Sequence, residues 1–72
     1  MDRAAIEKRL RKAQLLIDLD EKLLSQQHFI VDQLSPRNAS RALSRLRDLE
    51  YMQAVHRDEA ERLRRALANV DC

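Results

Sequence analysis

Few residues of this chain could do chemistry, and most of them stand apart. Two histidines, His28 and His56, and a single cysteine, Cys72, are spread through 72 residues rich in carboxylates and arginines. His56 is the informative one. With Gln53 it interrupts an apolar row in the second half of the chain, and Asp20 interrupts the matching row in the first half. An aspartate that orients a histidine is half of a nucleophilic site; the other half is an adjacent hydroxyl or thiol in a cleft. No such nucleophile accompanies this pair in the pattern, so the chain reads as non-enzymatic. His28 lies on a different helix face from His56 and neither has clustered ligands, so no metal or cofactor site is expected. Polar groups in an apolar seam lower stability unless satisfied. Their best-attested use is to fix register and association state. Asp20, Gln53 and His56 are therefore read as a polar core layer, with side chains turned to the seam's edge and water as the competing arrangement. Contact between Asp20 and His56 would tie assembly to pH, because histidine changes charge in the physiological range. His56→Leu is expected to stabilise the assembly unless that layer is well satisfied.

The cations fall into two groups. Arg3, Lys8, Arg9, Arg11 and Lys12 lie near the start, and Arg62, Arg64 and Arg65 near the end; both sets share one end if the chain folds back on itself. Arg37, Arg41, Arg45 and Arg47 form a second group at mid-chain. Either group could meet phosphates. A nucleic-acid-binding hairpin is thus the alternative reading. Against it, acids are interspersed, and aromatic residues make up 3% of the chain, which leaves almost nothing to stack on bases.

Helical periodicity is what positions these residues. From Asp2, a suitable N-cap, apolar positions step by four and three through Ile6, Leu10, Ala13 and Ile17. The row meets Asp20, resumes at Leu24, meets Gln27, and ends at Val31 and Leu34. The second half repeats the pattern through Ala39, Ala42, Leu46, Leu49, Gln53, His56, Ala60, Leu63, Leu67 and Val70. These are heptad seams. Between them lies the one break, Ser35-Pro36-Arg37-Asn38. Proline cannot continue a helix, and the residue before it avoids the helical region. Ser35 is the preferred N-cap of the second helix, with Pro36 in its first position. Asn38 is the alternative, either left-handed in the turn or capping a helix that starts at Ala39. The sequence predicts one domain, 1–72, with a helix over 2–34, a turn over 35–38 and a helix over 39–70.

Folding at that turn pairs Leu34 with Ala39, Val31 with Ala42, Gln27 with Leu46 and Leu24 with Leu49. It then pairs Asp20 with Gln53, Ile17 with His56, Ala13 with Ala60, Leu10 with Leu63 and Ile6 with Leu67. The match runs the whole length. It points to an all-α, coiled-coil-like antiparallel two-helix hairpin, with helix exchange between chains as the rival arrangement. The apolar stripe is wider than a two-helix seam requires, which suits a bundle. Leu16, Leu19, Leu23, Ile30 and Met52 are the expected association face, giving a homodimer in the form of a four-helix bundle. A helix of another protein could occupy the same face. Small two-helix scaffolds usually need such help. The lone Cys72 allows no internal disulfide and suits a cytoplasmic setting. No apolar run is long enough to span a membrane, and no signal segment precedes the first helix.

Gln53-Ala54-Val55-His56, followed by Asp58 and Arg62-Leu63, resembles a segment of small uncharacterised helical-hairpin proteins of alphaproteobacteria, whose second helix carries a Gln-Ala-aliphatic-His motif. Ile30-Val31-Asp32-Gln33-Leu34 is similar to their Ile-Val-x-x-Leu segment before the turn. The resemblance covers the central half of the chain. Where that group often has an acidic, glycine-containing turn, this chain has Ser35-Pro36-Arg37-Asn38. The resemblance implies an intracellular bacterial protein and supplies no activity.

Overall fold

The computed structural model describes residues 2–70. Two helices of equal length, α1 (Arg3–Gln33) and α2 (Ser40–Val70), lie antiparallel and pack along each other as a rod 54 × 14 × 13 Å. The chain is an antiparallel helical hairpin. No described helix is long and apolar enough to cross a membrane.

Asp2 caps α1: its side chain accepts from the Ala5 backbone N–H at 2.8 Å and its carbonyl accepts from Ile6. The helix stops at Gln33, because Leu34 is already extended at φ −97°, ψ 146°. Leu34 therefore leaves the seam and stands exposed, and it does not form the predicted layer with Ala39.

The turn differs from both capping arrangements expected for it. Ser35 does not cap α2. Its carbonyl accepts from the Asn38 N–H at 2.9 Å, and its hydroxyl accepts from the Asn38 amide at 3.2 Å, closing a turn around Pro36 and Arg37. No described residue has positive φ, so Asn38 is not left-handed. The first helical bond of α2 runs from the Leu43 N–H to the Ala39 carbonyl, which puts a buried alanine in the N-cap position. The helix starts at Ser40 because the four preceding residues are committed to the turn. The first turn of α2 contains no acid and the last turn of α1 no base, so neither helix dipole is compensated at this end.

The seam lies where the heptads put it. Its best-packed part is at the open end, where Ile6, Ala13, Ala60 and Leu63 form a buried cluster with Leu10, Ile17, Ala66 and Leu67 against it. Towards the turn, Ala39, Ala42, Leu46 and Leu49 are buried on α2, but the fully buried α1 positions there are polar: Asp20 and Gln27.

Candidate functional site

The polar seam is a set of specific contacts. Asp20 is 5% exposed, and its Oδ2 lies 2.5 Å from His56 Nδ1. A carboxylate only accepts, so the imidazole donates from Nδ1, leaving Nε2 as its remaining polar atom. Asp20 thus bonds to His56, and its side chain does not turn to the seam's edge. Gln53 is half-buried. A fourth polar seam residue, Gln27, which interrupts the α1 row as Asp20 does, donates from Nε2 to the Ala42 carbonyl at 2.8 Å. No buried side-chain nitrogen or oxygen among the described residues lacks a partner.

His56 also lines a groove. Where Ala13 and Ala60 face each other the seam is thin, and the surface beside it sinks into a groove of about 260 Å³. Ala13 and Leu16 line it on α1, His56 on α2, with Arg9, Lys12 and Glu59 at its rim. Arg9 and Glu59 form an ion pair between the helices at 3.2 Å. None of these lining residues carries a hydroxyl or thiol, so the Asp20–His56 pair has no nucleophile here to activate. No cluster of three metal-ligating side chains exists among the described residues.

The groove fixes which flank of α1 lies beside which flank of α2. Leu16, Leu23 and Ile30 recur every seven residues on α1, so they share the flank that borders the groove, and Leu19 widens it. On α2 the same side carries Glu59, Val55 and Met52, at spacings of four and three, and continues through Arg45. The five residues expected to form an association face therefore occupy one side of the hairpin. Leu16 and Leu23 are half-buried, while Leu19, Ile30 and Met52 are 50%, 45% and 44% exposed. The opposite side is polar and is crossed by an Arg57–Glu21 ion pair at 3.5 Å.

The first group of cations expected to meet nucleic acid lies at the open end, and acids partner most of its members. Arg3 pairs with Glu7, Arg9 with Glu59, Arg62 with Asp58, and Arg64 and Arg65 with Glu61. The hydrogen bond that Arg62 donates to Asp58, and then the charge of Asp58, raise the pKa of Arg62 above its ordinary value. Both Arg3–Glu7 and Asp58–Arg62 are pairs four residues apart on one helix face. Lys8, Arg11 and Lys12 are exposed. Cys72 lies outside the described residues.

No family model, curated protein or solved structure matches this chain.

Proposed function

We propose that this protein is a non-enzymatic helical interaction module that works through the apolar side of its hairpin, pairing with a second copy to make a four-helix bundle. One observation carries the reading. Leu19, Ile30, Met52 and Val55 stand exposed on the same side, next to half-buried Leu16 and Leu23, while half of the buried apolar residues in the seam they flank are alanines and two further buried positions are polar. A hairpin with so little apolar interior gains most from covering that side. Each leucine removed from water contributes about 1.5–3 kcal/mol before the cost of association.

Sedimentation equilibrium with circular dichroism on the same samples tests this. A helical dimer at micromolar concentration is the expected result. Leu23→Glu, which puts a charge in the middle of the face, shifts the protein to monomer while much of its helix content remains. A parent protein that sediments as a monomer at all concentrations, or a Leu23→Glu variant that dimerises as well as the parent, would remove the proposal.

The second reading, a hairpin that binds nucleic acid, rests on the turn end. Arg37, Arg41, Arg45 and Arg47 are exposed there, and the ion pairs of the described residues involve none of them. Binding to duplex RNA or DNA that falls steeply with salt supports it, and no binding at low salt eliminates it.

A further inference from the structure

The apolar side is uneven along its length, and its irregularities match one another. Towards the open end it carries the groove beside Ala13, walled by Leu16 and His56. Towards the turn it carries Ile30, exposed next to Phe29. Ala13 and Ile30 are about 25 Å apart along α1 at 1.5 Å per residue. The interhelical contacts Gln27–Ala42, Arg9–Glu59, Asp20–His56 and Arg57–Glu21 place the midpoint of that span between Arg47 and Arg57 of α2, a stretch centred on Met52. A two-fold axis through that midpoint, across the helices, lays exposed Ile30 of each copy over the groove of the other, so that the contact is self-complementary.

We infer that the second copy lies head to tail across this side, with Met52 on the two-fold axis and Ile30 of each copy filling the partner's groove beside Ala13. The inference rests on the association reading above and supplies its geometry. Leu19 and Leu23 lie either side of the axis and meet their counterparts across it. Arg45 and Glu59 flank Met52 at equal spacing, so the axis brings Arg45 of one copy against Glu59 of the other. Lys12 comes over the last turn of the other copy's α1, where the helix end is negative and carries no base of its own. Head-to-head stacking lacks this fit. It lays α1 over the other copy's α2, leaves the grooves without a projection to fill them, and sets Ile30 against Arg41 and Arg45.

Cysteine cross-linking in a Cys72→Ser background separates the two arrangements. Met52→Cys is expected to give disulfide-linked dimer in high yield under mild oxidation, because a residue on the axis meets itself. A mixture of Leu19→Cys and Met52→Cys chains is expected to give little mixed disulfide. Ile30→Ala is expected to weaken dimerisation by about tenfold to a hundredfold, from the apolar side chain it removes. A protein that still dimerises, but in which Met52→Cys stays unlinked and the mixture cross-links, overturns the head-to-tail geometry and leaves the association reading standing. A protein that never dimerises overturns both.

Discussion

Asp20 is the residue with most to lose. Its carboxylate is buried in the middle of the seam and its hydrogen bond is to His56, itself largely enclosed. Removing one member of a buried pair leaves the other uncompensated, at about 3–5 kcal/mol, whereas replacing both with apolar residues is often neutral or stabilising. His56→Leu alone is therefore expected to destabilise the hairpin by that amount in urea denaturation, against the stabilisation anticipated from the heptad pattern. The double variant Asp20→Leu/His56→Leu is expected to recover most of the loss. Equal stability of His56→Leu and the parent would mean that Asp20 finds water instead. Asp20 and His56 were legible in the sequence because each breaks an apolar row. Gln27 breaks one too, but nothing in the sequence distinguishes an amide that reaches the Ala42 carbonyl from one that turns to solvent. That distinction depends on how closely the two backbones approach beside small Ala39 and Ala42.

At the scale of the helices, the heptads were enough to place both helices and the face each buries, and the short turn between two equal segments leaves one full-length antiparallel alignment. The caps were legible only where a side chain makes them. Asp2 is such a case. The start of α2 is not, since Ala39 has no polar atom to offer and the serine and asparagine upstream are engaged with each other. This leaves a vacancy that substitution can fill. Ala39→Ser would supply an oxygen to an N–H of the first turn, and an N-cap serine in place of alanine stabilises by about 1 kcal/mol. The expected outcome is a higher Tm with unchanged helix content. A lower Tm would show that the buried site is too tight for a hydroxyl, and that burial outweighs capping there. The association side was legible as a stripe too wide for one seam. The groove inside it was not, because its depth comes from two alanines meeting across the seam.

For the molecule as a whole, the position of the apolar cluster sets the order of events in folding. Contacts that form near the turn close short loops, and there Leu46 and Leu49 are buried together with Ala39, Ala42 and polar Gln27. The contacts that gain most join Ile6 and Ala13 to Ala60 and Leu63, across nearly the full chain. Closing a longer loop costs more entropy, though only slowly more. The strongest clasp thus sits at the far end from the hinge and locks last. Mutations in a region that forms after the transition state speed unfolding and barely slow folding. Leu63→Ala should therefore steepen none of the folding limb of a chevron plot and raise the unfolding limb, while Leu46→Ala, near the turn, should lower the folding limb. The reverse assignment would place the nucleus at the open end. A hairpin built this way carries its most buried packing, around Ile6 and Leu63, far from the bend, so its kinetic lifetime is governed by residues that the bend does not hold together.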